Sequence, residues 1–302
     1  MKVPNPFQSI YEQCSLGAMA QKATQLPAFP RMIDIELTNE CNFNCVMCPT
    51  GQKIVKRKKG YMTQNTFLEL LPEIIDNKTP IRFIRWGEPM MSPILHWALV
   101  TARENDLLCH LNTNGSLMDD EWMQFFLEVG LDSIKFSFQG VNSKGYRCMR
   151  RSKQYDRLLA KIEKMHNLRE ALGAEFPFIQ IGTTITSEPE SAIKAFRQQV
   201  EPFTDALYIS QTMDLQQLRS PDRYCECPEV FDKLSVNWDG SVSACCGDWD
   251  NFMVVGNIYE QSLTDIWNGR RLSDIREHLV NYRHGELVLC SRCARSLDNE
   301  VR

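Results

Sequence analysis

The sequence predicts an α/β chain built as a partial, TIM-like (β/α)6 barrel that carries a small C-terminal β-hairpin/helix unit. Three observations predict it. Strand-like and helix-like segments alternate from residue 31 to 211, the pattern of parallel strands joined by crossover helices. Six such strands are too few to close an eight-fold barrel, so the sheet is expected to stay open. Past residue 212 the pattern changes to a short alternating hairpin, a helix and a tail rich in Cys and Arg. The expected organisation is an N-terminal extension over 1–30, a barrel over 31–211 and a smaller unit over 212–302.

Each element has its own signal. A first strand over 31–37 places Met32, Ile33, Ile35 and Leu37 in an apolar run. Thr63 suits the cap of a helix over 63–71, with Pro72 near its end. A short strand over 81–86 leads to a helix over 94–105, then strand 107–112, helix 119–128 and strand 133–138. Over 154–172, Leu158, Ile162, Met165, Leu168 and Leu172 form the apolar stripe of a long helix. Strand 178–185, helix 190–200 and strand 206–210 complete the alternation. Residues 233–238 and 241–244 alternate apolar and polar around Asp239-Gly240, a strong hairpin signal, and a helix over 263–278 follows.

Composition bounds the function. With 43% hydrophobic and 24% charged residues, the 302-residue chain is an ordinary globular one that can bury a sizeable core. A net charge of −4 gives no global attraction to nucleic acid or to an anionic membrane. The first thirty residues hold no apolar run behind a basic start, and the apolar stretch 89–102 is too short to span a bilayer. A soluble, cytoplasmic chain with no membrane or nucleic-acid partner is expected. There, twelve cysteines point to metal or catalytic use rather than to disulfides.

The first cysteine array follows the first strand. Thr38-Asn39-Glu40-Cys41-Asn42-Phe43-Asn44-Cys45-Val46-Met47-Cys48-Pro49 is a C-x3-C-x2-C pattern, at the strand end where barrels carry their sites. Soft thiolates at this spacing suit an iron–sulfur cluster or zinc, and three of them leave one metal position open to a chelating ligand. The array resembles the defining motif of the radical S-adenosylmethionine (SAM) superfamily. That resemblance implies a [4Fe–4S] cluster on Cys41, Cys45 and Cys48, with SAM bound through its amine and carboxylate to the open iron. Trp86-Gly87-Glu88-Pro89 resembles the family's Gly-Gly-Glu-Pro motif, with Trp86 in place of the first glycine, and implies that Gly87 and Glu88 hold the SAM amino group. By the same resemblance, Asn112, Asn114, Ser137 and Gln139 line the SAM or substrate face, with Ser137 on the ribose. Arg150 or Arg151 pairs with the SAM carboxylate, and Ile181-Gly182-Thr183-Thr184 lets the adenine approach the backbone.

The second array is Cys227-x12-Gly240-x4-Cys245 followed by Cys290-x2-Cys293. Four thiolates of this kind suit zinc or [4Fe–4S], and spacing alone does not separate them. The layout resembles the shortened SPASM, or twitch, domain, which implies an auxiliary [4Fe–4S] cluster on Cys227, Cys245, Cys290 and Cys293. Cys225 and Cys246 adjoin these positions as alternates or hydrogen-atom donors, while Cys14, Cys109 and Cys148 are expected to be packing residues.

Together the resemblances imply reductive cleavage of SAM to a 5′-deoxyadenosyl radical, which abstracts hydrogen from a substrate carbon. The first expectation is oxidation of a sugar or cyclitol alcohol, with the auxiliary cluster as electron acceptor. The second is peptide epimerisation or crosslinking. A non-enzymatic, metal-stabilised interaction module explains the second array but not the first with Glu88. A flavodoxin or ferredoxin is implied as electron donor by the need for a strong reductant. Lys53, Lys56, Arg57, Lys58 and Lys59 read as a solvated loop or as a handle for a phosphate- or nucleotide-bearing substrate. His96, His110, His166, His278 and His284 show no ligand spacing, and the sequence names no residue for the substrate proton.

Overall fold

The computed structural model describes residues 2–15, 18–212 and 227–293. Two N-terminal helices, α1 (Gln8–Ser15) and α2 (Met19–Thr24), precede β1 (Met32–Ile35). Then come α3 (Pro49–Gln52), α4 (Gln64–Asp76), β2 (Ile81–Phe83), α5 (Leu95–Glu104), β3 (Cys109–Thr113), α6 (Asp120–Glu128) and β4 (Ser133–Ser137). Next are α7 (Ser143–Arg150), α8 (Tyr155–Ala171), β5 (Phe178–Ile185), α9 (Glu190–Val200) and β6 (Ala206–Gln211). The C-terminal part holds α10 (Glu229–Asp232), β7 (Lys233–Val236), β8 (Ser241–Ser243), β9 (Val254–Asn257), α11 (Leu263–Asn268) and α12 (Arg270–Val280).

The strands form one sheet in the order β6-β5-β4-β3-β2-β1-β7-β8-β9. Strands β1 to β6 are all parallel, as the alternation predicts, and make an open, partial barrel. The C-terminal hairpin extends this same sheet. Strand β7 pairs in parallel with β1 from Met32↔Lys233 to Ile35↔Val236, and β8 turns back on β7 with Val236 opposite Val242. Gly240 makes the turn at φ +83°, a conformation that a side chain would strain.

Strand pleating sends alternate residues to opposite faces, and here the barrel interior is polar near its floor. Arg82 donates to both carboxylate oxygens of Asp34 at 2.6 and 2.8 Å. Ser133 Oγ meets His110 Nδ1 at 3.0 Å and accepts from Gln180 Nε2 at 2.8 Å. Helix α1 closes the floor, with Phe7 edge-on to His110 and Tyr11 beneath the Arg82 guanidinium.

Several elements depart from the sequence expectation. Helix α4 continues through Pro72 to Asp76, because Leu70, Leu71 and Ile74 keep one face buried past the lost N–H. Helix α7, short and rich in basic residues, and the four-residue strand β9 were not expected. The helix over 263–278 is two helices, split where Gly269 is extended; a Cβ there would meet Asp265 O at 2.7 Å.

Candidate functional site

A cavity of about 300 Å³ opens at the C-terminal ends of the barrel strands, and Cys41, Cys45, Cys48, Glu88, Ser137 and Arg150 share its wall. The cysteine loop leaves β1 and is tied down at once. Thr38 Oγ1 donates to Gly60 O at 2.7 Å, and Asn39 exchanges hydrogen bonds with Lys58 O and Gly60 N. Cys48 caps α3, whose first residue is Pro49, a position where a missing N–H is harmless. Gly51 lies against the loop so closely that a Cβ would stand 2.4 Å from Cys45 O. Burial pushes the Cys41 thiol up to about 12 and raises Cys48.

Glu88 is buried and aimed at the same cavity. It accepts from Thr113 Oγ1 at 2.6 Å, Asn114 N at 2.7 Å and Met90 N at 3.2 Å. Burial raises its pKa, against the pull of those hydrogen bonds and of Arg150. Gly87 serves loop packing: a Cβ there would meet Thr38 O at 2.0 Å, and the next residue's N–H donates to Glu40 O at 2.8 Å.

The remaining sequence candidates divide. Arg150 is buried, places NH1 3.6 Å from Cys45 Sγ, donates NH2 to Ser137 O and stacks over Phe43. Arg151 points instead to a groove outside the cavity. Asn114 binds Asn42 Oδ1 and Ser116 N, which fastens the end of β3 to the cysteine loop. Asn112 Oδ1 and Gln139 Oε1 are buried acceptors without a partner, and both residues line the cavity. At Gly182 the space is filled by Lys135, whose Cε would lie 2.4 Å from a Cβ there, so this glycine accommodates a lysine chain. Of the basic run, none lines the cavity. Arg57 is engaged in a buried ion pair with Glu36, which removes it as a phosphate handle.

Arg85, which the sequence reading missed, joins the two halves of the site. It leaves β2 at φ 148° and donates to Cys245 O at 3.0 Å, Asn237 Oδ1 at 2.9 Å and Asp248 O at 3.0 Å. Arg57 holds the same loop through Trp249 O, and Asp250 accepts from the N–H groups of Lys56 and Arg57. These contacts span more than 150 residues of sequence, so no local motif announces them.

In the C-terminal part, burial pushes Cys290 up to about 12, with further elevation from the neighbouring Cys227 and Cys293. Cys245 sits beside Cys246, whose pKa is raised by their mutual hydrogen bond and by burial. Cys225 lies outside the described residues. Cys14 and Cys109 are buried as expected, but Cys148 is exposed on α7, a helix whose inward face is held by Tyr146 and Arg150. None of the eleven described cysteines is in a disulfide. Among the described residues no group of three or more His, Cys, Asp or Glu side chains is arranged to hold a single metal ion. In a [4Fe–4S] cluster each thiolate binds a different iron, so the thiols need not converge on one point.

The donor set and the orphaned acceptors fit an iron–sulfur cluster with a polar organic ligand. Residues 35–174 match the family model of the radical SAM superfamily. That segment is a radical SAM domain. Residues 225–294 match the SPASM iron–sulfur cluster-binding domain, and the cofactors of this radical SAM chain are SAM and [4Fe–4S] clusters. It is 24% identical to the tungsten-containing aldehyde ferredoxin oxidoreductase cofactor-modifying protein of Pyrococcus furiosus, over 85% of this chain and 86% of that protein. It is 23% identical to the S-adenosyl-L-methionine-dependent 2-deoxy-scyllo-inosamine dehydrogenase of Niallia circulans, over 87% and 92%. The fold is shared with Streptococcus suis SuiB bound to precursor peptide SuiA, at a TM-score of 0.70 and 14% identity, over 96% of this chain and 76% of that one. Among the described residues no helix is long and apolar enough to cross a membrane.

Proposed function

We propose that this radical SAM enzyme oxidises an alcohol-bearing carbon of a small polyol, a cyclitol or sugar, to a ketone. The observation that carries the reading is the cavity wall. Asn112 Oδ1 and Gln139 Oε1 are buried acceptors awaiting donors, and Ser137, Thr184 and Thr212 add hydroxyls beside them. Such a lining matches the hydroxyl groups of a polyol, and the dehydrogenase relative acts on a compound of that class.

When bound, a [4Fe–4S] cluster on Cys41, Cys45 and Cys48 with SAM supplies a hydrogen-abstracting radical, and a second cluster on Cys227, Cys245, Cys290 and Cys293 supplies an electron sink. The substrate carbon gives up a hydrogen atom, then one electron and the hydroxyl proton, which balances as a two-electron oxidation. Glu88 is placed to hold an ammonium, and Arg150 to meet a carboxylate from beside Cys45. Phe43, Met47 and Trp86 give the cavity its apolar surface. Arg85 fixes the Cys245 loop to the same wall.

The test is anaerobic turnover of the iron-loaded enzyme with SAM, a reductant and a panel of cyclitols that includes 2-deoxy-scyllo-inosamine. Ketone should form in step with 5′-deoxyadenosine. Iron should be about eight per chain and fall to about four in a Cys41/Cys45/Cys48→Ala variant. SAM cleavage that responds to peptides and to no polyol would replace this reading with peptide modification.

A further inference from the structure

The basic run that the cavity does not use belongs to a larger surface. Residues 41–68 contain Lys53, Lys56, Arg57, Lys58 and Lys59 and neither Asp nor Glu, in a chain of net charge −4. Residues 140–155 contain Lys144, Arg147, Arg150, Arg151 and Lys153, again with neither. The fold brings the two segments together: Val46 N donates to Met149 O at 2.9 Å. Arg57 and Arg150 turn inward, to Glu36 and to Cys45. The others are exposed. Lys144 and Arg147 stand three residues apart on one face of α7, and Arg151 follows as its C-cap. Among the described residues Lys59 alone of these has an ion pair, with Glu40, and Glu188 near Gly145 marks an acidic edge.

This surface lies over the cysteine loop. A groove open to solvent is lined by Asn44, Cys45, Val46, Gly51, Lys53 and Arg151. Cys45 lines this groove and the inner cavity alike. Cys45 therefore borders both the outer groove and the inner cavity, with Lys53 and Arg151 on the outer side. Electron transfer weakens steeply with distance, so this groove beside Cys45 is a natural point of entry.

We propose that this basic face is the docking surface for a small acidic electron-transfer protein of the flavodoxin or ferredoxin class, which delivers its electron past Cys45. The proposal rests on the placement of the SAM-binding cluster at Cys41, Cys45 and Cys48. The reduced donor gives up one electron, a flavodoxin passing from hydroquinone to semiquinone; the oxidised cluster gains it, and no atom moves. Charge complementarity of this kind governs the rate of encounter and its salt dependence.

The probe is a flavodoxin photoreduced to its hydroquinone and mixed anaerobically with iron-loaded enzyme, while cluster absorbance is followed. For wild type, the rate should fall at least about tenfold between about 50 and about 500 mM salt. In K53E/K144E/R147E it should be at least about tenfold slower at low salt, and oxidised flavodoxin should bind more weakly by calorimetry. Photoexcited deazaflavin, which needs no docking, should reduce both proteins alike at equal iron content. Equal flavodoxin rates, no response to salt, or a variant slowed equally with deazaflavin would each overturn the proposal. Wild-type iron retained in the Cys41/Cys45/Cys48→Ala variant would instead remove the cluster placement beneath it.

Discussion

His110 shows how the barrel floor fixes the charge of a single residue. Burial lowers its pKa well below the usual imidazole value, and the nearby Arg82 and Lys135 push the same way. Ser133 Oγ accepts from Gln180, which leaves its O–H to donate to a neutral Nδ1. The unfolded chain therefore binds a proton that the folded chain refuses. Stability should be unaffected above about pH 6.5 and fall below it, by at most about 1.4 kcal/mol per pH unit. Thermal midpoints of wild type and His110→Gln, compared from about pH 7.5 to about pH 5.5, should diverge, with wild type losing more at the acid end. Parallel curves would mean that His110 is protonated in the fold. Glu88 makes a second residue-scale case. Charge-assisted hydrogen bonds contribute about 1.5–3 kcal/mol, so Glu88→Gln should weaken SAM binding to the unreduced, iron-loaded enzyme about 10- to 150-fold. Equilibrium dialysis checks this, and unchanged affinity would take the ammonium away from Glu88.

Among elements, those that announce themselves in sequence are those whose cues are local. The six barrel strands and most of their helices carry an apolar period or a cap such as Thr63 or Asp119, and the β7–β8 hairpin carries the Asp239-Gly240 turn, all within a few residues. The two cysteine arrays are legible for the same reason. Helix α7 was not, because its outward face is basic and only Tyr146 and Arg150 are buried. Gly51 and Arg85 were not, because what demands them is contact with another segment: a loop backbone for one, residues 237–248 for the other. Both make sharp predictions. Gly51→Ala forces a Cβ into Cys45 O, so reconstituted protein should lose iron from the first site while its secondary structure by circular dichroism persists. Arg85→Met removes two hydrogen bonds from the Cys245 loop and one from Asn237, and should alter the EPR signal that remains in the Cys41/Cys45/Cys48→Ala background. An unaltered signal would show that the loop holds its cluster without the barrel.

At the scale of the whole molecule, the sequence reading divides barrel from C-terminal unit at residue 212, yet the sheet runs through both. Strand β1 is an interior strand, paired with β2 on one side and β7 on the other. Asp232, at the entrance to β7, is fully buried and binds Lys22 at 2.7 Å and Arg31 at 2.7 Å, so α2 and the start of β1 depend on it as well. Trp267 is buried in the same core and donates to Pro27 O at 2.8 Å. Breaking one partner of a buried ion pair costs about 3–5 kcal/mol, because the other charge is left uncompensated. Detaching β7 would do this twice and expose a hydrophobic parallel edge. Native-state hydrogen exchange should therefore protect the amides of β1 and β7 with the same free energy, and Asp232→Asn should lower both together. If β7 to β9 open at markedly lower free energy than β1, the C-terminal unit is an independent lobe. The Cys245 loop would then keep its hydrogen bonds to Lys56, Arg57 and Arg85.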